Sequence, residues 1–329
     1  PDRPMELGRD YIMLDHQALS RSRAQQGIMI GTARANPGKQ VSHPDHLKDA
    51  ERSAPLQTTY DALCSLGVDA LISIGGDDTL SYAARLAKEG VRVVAIPKTM
   101  DNDVFGTDYC IGFSTAVTRS VEFIQALRTP AGSHERIAVI ELFGRHSGET
   151  ALIAGYLAGA DRTLISEVPV DIDRLAKLVR QDRIDNPSHY AVVVVSEGAT
   201  IDGGTRVEGG EADAYGHLKL GGIGQVIGAE LKARTGVEII NQSLGYLMRA
   251  GAPDSLDRMV AVTFGHLALE QIADGAGGVM VALQNGRYTT VPVETCISGE
   301  KRVDIPRLYD THAYRPNPKH VLGAPMFLY

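Results

Sequence analysis

Two short polar segments follow apolar stretches with the composition of buried strands. The first is Gly-Gly-Asp-Asp-Thr at residues 75–79, and the second is Pro-Lys-Thr-Met-Asp-Asn-Asp at residues 97–103. Because parallel strands end at a shared edge, where open α/β sheets bind ligands, we predict that both segments meet there. Carboxylates able to hold a hard cation, beside a lysine and a glycine turn that admits phosphate, indicate metal-assisted phosphoryl transfer.

Each segment also has a plainer interpretation. The glycine turn could bring backbone N–H groups and a helix dipole to a phosphate, with Asp77 as a Mg²⁺ ligand, or it could be an ordinary strand-to-helix turn with an Asp or Thr cap. In an extended segment, Asp101 and Asp103 point the same way, so that one can serve as general base while the other meets the metal. The alternative there is an Asx-turn with solvated acids.

Composition excludes several classes of protein. The chain has 329 residues, 43% of them hydrophobic and 22% charged, which allows a large core and two lobes. A net charge of −7 without a basic tract argues against nucleic acid as a partner. The cysteines Cys64, Cys110 and Cys296 are scattered, which indicates a reducing cytosol and no zinc site. We find no apolar run that could span a membrane and no signal peptide, and therefore predict a cytoplasmic protein.

Strand and helix patterns alternate along the chain, which predicts βαβ units and a parallel sheet. Predicted strands cover residues 69–74, 91–96, 136–142, 190–195, 238–244, 278–284 and 287–292, with a short one entering a turn at 27–34. Predicted helices cover residues 54–66, 80–88, 115–127, 149–158, 170–181, 224–236 and 254–274. We expect Ser114 or Thr115 to cap the third helix, Asn285-Gly286 to turn a hairpin, and residues 199–221 to form a loop with a hairpin.

Several motifs in order make the chain resemble the 6-phosphofructokinase family. They are Gly-Gly-Asp-Asp at 75–78, Pro-Lys-Thr-x-Asp-Asn-Asp at 97–103, Gly-Phe-Ser-Thr-Ala-Val at 112–117, Ser-His-Glu-Arg at 133–136, Phe-Gly-Arg at 143–145, Ser-Glu-Gly at 196–198 and Leu-Gly-Tyr-Leu-Met-Arg at 244–249. The resemblance implies an α/β fold of two interleaved Rossmann-like three-layer lobes with largely parallel sheets. Residues 1–112 plus 249–329 would form the phosphoryl-donor lobe, and residues 113–248 the fructose 6-phosphate lobe.

ATP-dependent members of the family have glycine in two motif positions, in Gly-Gly-Asp-Gly-Ser and in Pro-Gly-Thr. This chain has Asp78 and Lys98 in those positions, and this pair of changes resembles the pyrophosphate-dependent branch. A carboxylate at position 78 repels a nucleotide's α-phosphate, while Lys98 offers pyrophosphate a point charge. The implied reaction is reversible, Mg²⁺-dependent transfer from pyrophosphate to the 1-hydroxyl of fructose 6-phosphate, useful in glycolysis and gluconeogenesis. The alternatives are an ATP-dependent 6-phosphofructokinase that tolerates Asp78, and a truncated or non-catalytic sugar-phosphate-binding chain.

The resemblance also implies roles for individual residues. The implied catalytic residues are Asp101 as the base, Lys98, Asp78 and Arg34. The implied donor-binding residues are Gly75, Gly76, Asp78, Thr79 and Lys98, and the implied metal ligands are Asp77 and Asp103. The implied substrate-binding residues are Thr99, Asp101, Asp103, Arg136, Phe143, Gly144, Arg145, Glu197, Tyr246 and Arg249. Arg136 would reach a neighbouring subunit's site, which implies a homodimer or homotetramer. For Arg34 and Arg136 the alternatives are an ordinary loop arginine and a solvated residue at a strand start.

Two features depart from the family pattern. A second phosphate-binding arginine expected shortly before Leu244 is missing, because Ile239 and Ile240 are apolar, and we expect Arg234 or another residue to compensate. Nothing like the family's N-terminal strand and Gly-Gly-x-x-Pro-Gly-x-Asn turn precedes Gly27. We therefore expect a donor lobe that lacks them, or a donor site that is built differently.

Overall fold

The computed structural model describes residues 5–22, 28–32, 49–204, 208–209, 219–220 and 222–324. Arg34 lies outside these ranges, so its predicted role stays a prediction. Helices in the described ranges are α1 His16–Ser22, α2 Ala50–Ser65, α3 Asp77–Lys88, α4 Phe113–Ser133, α5 Glu149–Ala158, α6 Ile172–Asp185, α7 Ile223–Thr235, α8 Ser255–Ala273 and α9 Ile305–Leu308, with 3-10 helices at Gly245–Arg249 and Val293–Ile297.

The strands form two four-stranded sheets and two short hairpins. They are β1 Leu71–Gly75, β2 Val93–Pro97, β3 Ile137–Leu142, β4 Arg162–Leu164, β5 Ala191–Ser196, β6 Glu208–Gly209, β7 Lys219–Leu220, β8 Ile239–Ser243, β9 Val279–Gln284, β10 Arg287–Pro292, β11 Tyr309–Asp310 and β12 Arg315–Pro316. The first sheet has the order β1-β2-β9-β10, and the second β4-β5-β3-β8. The two short sheets pair β6 with β7 and β11 with β12.

Strand register brings the two polar segments of the sequence together. In the first sheet β1 and β2 are parallel, with Gly75 opposite Pro97, so residues 75–79 and 97–103 leave the sheet at one edge. The antiparallel partner of β9 is β10, joined through Asn285 and Gly286 at positive φ, as the Asn-Gly pair predicts. The second sheet is wholly parallel, with Leu142 of β3 opposite Ser196 of β5. The predicted largely parallel α/β architecture is confirmed.

One hydrophobic core joins both sheets. It includes Val94 and Ile96 of β2, Ala138 and Ile140 of β3, and Ile124 of α4, all buried. Helix α4 packs against α5 and α8, and so it lies between elements of the two sheets. Close-packed interiors have low compressibility. This shared core therefore holds the edge of one sheet at a fixed position relative to the edge of the other.

The C-terminal segment packs differently from its predicted lobe. We predicted residues 249–329 in the first lobe, yet Leu308, Tyr309 and Tyr314 are buried in the core around the second sheet. The Tyr309 hydroxyl donates to the backbone oxygen of Thr163, at 2.6 Å, and so ties the segment to β4. The apolar rings of this segment cover the second sheet, which accounts for the difference. The rest of the lobe division stays a prediction.

Three local predictions are wrong. Residues 28–30 lie in an exposed turn rather than a strand, with Ile30 65% exposed. Helix α3 begins at Asp77 rather than near residue 80, because Asp77 and Asp78 suit the first turn of a helix. Helix α4 begins after Gly112 without a side-chain cap, so neither Ser114 nor Thr115 caps it. Their hydroxyls instead donate to Asp254 and Asp257 of the α8 start.

Within the described ranges no helix is both long and apolar enough to cross a membrane. The cysteines are unpaired, as expected: Cys64 is exposed, while Cys110 and Cys296 are buried.

Candidate active site

The glycine turn owes its first glycine to packing. A Cβ on Gly75 would collide with the side chain of Thr79, in the first turn of α3. Gly75 therefore lets Thr79 fold back over the end of β1, a requirement distinct from the phosphate approach that we predicted for it. Gly76 precedes α3 and provides no side-chain cap for its first turn, in which Asp77 and Asp78 lie.

The second segment is bound to the first through its backbone. The Lys98 N–H donates to the Gly75 carbonyl oxygen at 2.8 Å, which places the lysine directly beside the glycine turn. The Thr99 hydroxyl accepts from the Asp101 N–H at 3.2 Å and donates to the Asp103 carboxylate. Thr99 thus organises the loop that carries both carboxylates.

Asp101 and Asp103 approach each other through a turn, and the predicted extended segment is wrong. Between them Asn102 adopts φ 53°, a left-handed conformation that Asn tolerates better than most residues. The Asn102 side chain is fully buried, donates to Glu149 at 2.6 Å and accepts from the Cys110 N–H at 2.7 Å. These bonds hold the turn in place, and the sequence motif alone did not reveal them.

Crowded carboxylates perturb each other's titration. Burial, followed by the charges of Asp103, Asp78 and Asp101, raises the pKa of Asp77 to about 7. Burial, followed by the charges of Asp103 and Glu197, raises the pKa of Asp101 to about 7. One Asp101 oxygen is buried without a hydrogen-bond partner. A carboxylate with a pKa near neutrality and an unengaged oxygen suits a general base.

Asp77 and Asp103 could share a divalent cation. Burial also raises the pKa of Asp103, whose charge in turn raises the pKa of Asp77. In the described part of the chain, no three His, Cys, Asp or Glu side chains form a ready-made metal site. Mg²⁺ is commonly bound by one or two carboxylates and completed by water and substrate phosphate, so a two-carboxylate site fits such an ion.

The edge of the second sheet contributes a compact group of polar residues. Gly144 follows β3 at φ 147°, and a Cβ there would lie 2.7 Å from the Ser196 hydroxyl, so the position requires glycine. Glu197 follows β5, is 8% exposed, and accepts a bond from the Gly144 N–H. Burial raises the pKa of Glu197, while Gly144 and Arg145 lower it. The Arg145 N–H also donates to Asp101.

Arg249 connects the two edges. Its guanidinium stacks on Phe143 with 4.8 Å to the ring centroid and on Tyr246 with 5.4 Å, and the two rings pack edge to face. Its charge reaches the carboxylates on both sides, because it lowers the pKa of Asp101 and of Glu197. Surrounding protein atoms and Arg249 together lower the pKa of Lys98, whose side chain is still exposed. The predicted residues of both edges therefore lie around one cleft.

Two predicted arginines lie elsewhere. Arg136 precedes β3 at its amino end, near enough to Glu238 to lower the pKa of that carboxyl, whereas the cleft lies beyond the carboxyl end of β3. Arg136 therefore cannot reach the cleft of its own chain. Arg234 ends α7 and binds Asp173 and Glu230, so it does not compensate for the missing arginine.

Sequence reasoning missed a basic pair beside the carboxylates. Lys301 and Arg302 line a cavity of about 140 Å³ together with Asp77, Asp103 and His146. The pair follows β10 and the second 3-10 helix, far along the chain from either motif. An adjacent lysine and arginine are too common in sequences to have indicated this placement.

The fold and cleft define a class: an α/β phosphotransferase with its polar residues at the ends of parallel strands. Comparison with known proteins specifies it further. The family described as phosphofructokinase matches residues 6–272, and the chain belongs to this family. The predicted resemblance is thereby confirmed.

Individual relatives differ in the donor that their names state. A pyrophosphate–fructose 6-phosphate 1-phosphotransferase of Amycolatopsis methanolica is 38% identical over 289 residues, covering 88% of this chain and 81% of the relative. An ATP-dependent 6-phosphofructokinase of Corynebacterium efficiens is 36% identical over 296 residues, covering 90% and 82%. The crystal structure of a pyrophosphate-dependent phosphofructokinase from Marinobacter aquaeolei has a TM-score of 0.70 at 20% identity, covering 92% of this chain and 73% of that one. That likeness shows the fold.

Proposed function

We propose that this chain catalyses reversible, Mg²⁺-dependent transfer of a phosphoryl group from pyrophosphate to the 1-hydroxyl of fructose 6-phosphate, giving fructose 1,6-bisphosphate and phosphate. The supporting observation is the placement of Lys98 and Asp78 on adjacent backbone segments, joined by the 2.8 Å bond from the Lys98 N–H to Gly75. Lys98 offers a cation to pyrophosphate, while Asp78 opposes the additional phosphate of a nucleotide.

The residues around the cleft have separate roles in the proposed reaction. Asp101 accepts the proton of the attacking hydroxyl, and its pKa of about 7 leaves it a competent base near neutral pH. Arg249 and Glu197 bind the sugar phosphate, with Phe143 and Tyr246 holding the guanidinium in place. Asp77 and Asp103 would hold Mg²⁺, which would supply positive charge to the phosphate oxygens.

The donor decides between this proposal and its alternative. The alternative is supported by the relative named for ATP, which is nearly as similar to this chain as the relative named for pyrophosphate. The test is the initial rate of fructose 1,6-bisphosphate formation with Mg²⁺ and either pyrophosphate or ATP. We expect turnover with pyrophosphate and little with ATP, and full activity with ATP in the unaltered protein would overturn the proposal.

An Asp78→Gly variant tests the reason for the preference. Removing the carboxylate should allow ATP to serve, raising the ratio of ATP to pyrophosphate rates by about tenfold or more, the scale of one charge interaction. Asp69→Gly is the matched control, because Asp69 is exposed near the opposite end of β1 and its loss should leave the ratio unchanged.

A further inference from the structure

The cavity beside Asp77 and Asp103 is lined by groups of both charges. Its lining includes these two carboxylates, His146 and residues 299–302, with Lys301 and Arg302. Residues 299–302 are held against the 103–109 loop, because a Cβ on Gly299 would come within 2.8 Å of the Phe105 ring. The position of the basic pair is thus fixed by packing.

Lys301, in the cavity lining, is anchored by buried partners. Its ammonium donates to the Asp108 carbonyl oxygen at 2.9 Å and lies 3.7 Å from a Glu149 oxygen that has no hydrogen-bond partner. The side chain is 11% exposed, and Glu149 is completely buried. An ammonium has three N–H donors, so these contacts leave donor capacity for a group inside the cavity. Glu149 keeps a cation at this depth, where an unpaired one would be costly.

Arg302 stands at the rim. Its guanidinium donates to Glu300 at 2.8 Å, and the Glu300 side chain is 76% exposed. An exposed pair of this kind contributes little to stability, so the guanidinium can exchange its partner for an incoming anion. Its charge reaches Asp77 and Asp103 across the cavity.

We propose that Lys301 and Arg302 bind the phosphate group of the donor that leaves in the reaction. The inference rests on the proposed function and extends it. Asp101 and Lys98 lie at the end of the carboxylate cluster that faces the sugar, so the transferred phosphoryl group lies there. The leaving phosphate then lies in the cavity that the basic pair lines together with Asp77 and Asp103, the two carboxylates that would hold the cation. Both ends of a pyrophosphate are thereby matched by positive charge.

Calorimetric titration of pyrophosphate into the protein with Mg²⁺, without sugar phosphate, tests the proposal. Lys301→Gln should weaken pyrophosphate binding about tenfold or more, and Arg302→Gln about threefold, since charge-assisted bonds to phosphate are lost. The KM for fructose 6-phosphate should stay within about twofold, because neither residue faces the sugar end. Lys88→Gln, at the far end of α3, removes the same charge and should leave binding unchanged.

A second variant separates binding from folding. Lys301→Gln alone leaves Glu149 buried without its cation, which lowers stability. In Lys301→Gln/Glu149→Gln the buried charge is gone, while the amide oxygen can still accept from Asn102. Weak pyrophosphate binding in the double variant supports the proposal, and affinity equal to that of Lys88→Gln overturns it. Should the unaltered protein use ATP alone, the proposed donor is wrong, and ATP binding weakened by Lys301→Gln would still support the phosphate site.

Discussion

Single buried side chains set how this protein responds to pH. Glu149 is the first residue of α5 and is fully buried. Burial raises its pKa to about 7, although Lys301 and the bond from Asn102 lower it in part. The unfolded chain releases this proton near pH 4.5, so between these values the folded chain holds more protons than the unfolded one.

From this difference we predict that the metal-free protein loses stability as pH rises from about 4.5 to about 7. The contribution of Glu149 is fully present below the lower value and is lost through the upper one, on the order of 3 kcal/mol. Thermal unfolding midpoints measured with EDTA at a series of pH values will show the decline. Glu149→Gln should flatten part of it, since Asp77 and Asp101 act in the same direction.

Glu270→Gln serves as the control for that series, because Glu270 is exposed near the end of α8 and should leave the slope unaltered. A Glu149→Gln protein with the same decline as the unaltered chain would contradict the prediction. Activity plays no part in this measurement, so it is independent of the donor.

At this scale the sequence predicted residues that share a motif and missed those that do not. Asp77, Lys98 and Asp101 could be predicted as site residues because each lies within a few residues of a strand end. Glu149 and Lys301 meet across some 150 residues of chain, through packing that no local pattern encodes. The turn at Asn102 was missed for another reason, since its left-handed φ depends on partners at Cys110 and Glu149.

At the scale of elements, a side chain at the start of α8 accepts hydrogen bonds from backbone N–H groups at the start of α4. Asp257 is 1% exposed, and one of its oxygens accepts from the Tyr109 hydroxyl and the Gly112 N–H, both at 2.7 Å. The other accepts from the Thr115 N–H at 2.8 Å. Because Gly112 offers no side-chain cap, this distant carboxylate satisfies donors that the helix itself leaves open. Gly112 also lies against the backbone of Thr99 and Met100, so the contact supports the loop of residues 98–103.

We predict that Asp257→Asn lowers the free energy of unfolding by about 2–4 kcal/mol, because an amide group faces donors that need acceptors. Denaturant unfolding measures the change. Asp274→Asn is the matched control at the other end of α8, where the side chain is exposed, and it should cost less than about 0.5 kcal/mol. Equal stability of the two variants would rule out the cap.

The contact between the starts of α4 and α8 explains which element boundaries the sequence could predict. Strand ends followed apolar runs and glycine turns, so β1, β2, β3 and β5 were each placed within about two residues, the usual scatter of such boundaries. The α4 start was placed two residues late, since Ser114 and Thr115 look like caps while their hydroxyls bind α8. Only the tertiary contact between α4 and α8 distinguishes hydroxyls that cap their own helix from hydroxyls that bind a neighbouring one.

At the scale of the whole molecule, the amino ends of the strands of the second sheet bear on whether the chain forms an oligomer. Arg136 lies at the amino end of β3, and the cleft lies past its carboxyl end, about 20 Å away at the rise of a six-residue strand. If the predicted role of Arg136 at a substrate site holds, a second copy of the chain must supply that site. A symmetric homo-oligomer would give each cleft one arginine from a neighbour.

Mixing two inactive variants tests this arrangement. Asp101→Asn removes the proposed base of its own cleft, and Arg136→Gln removes the arginine predicted to reach a neighbour's cleft. Each alone should show strongly reduced turnover with fructose 6-phosphate. In a mixed oligomer, one cleft combines Asp101 of the Arg136→Gln chain with Arg136 of the Asp101→Asn chain, so both residues are intact there. We therefore expect co-expressed, co-purified chains to regain activity that neither variant has alone.

The control is the same pair purified separately and assayed immediately after mixing, before subunits exchange, where activity should stay low. Light scattering on the co-purified sample establishes whether it contains dimers or tetramers. Failure of a proven mixed oligomer to regain activity would show that Arg136 does not serve a neighbouring cleft. Its charge would then belong to the strand start, beside Glu238. Recovery would instead mean that each cleft is completed only by assembly, so that dilution below the dissociation constant should also reduce turnover.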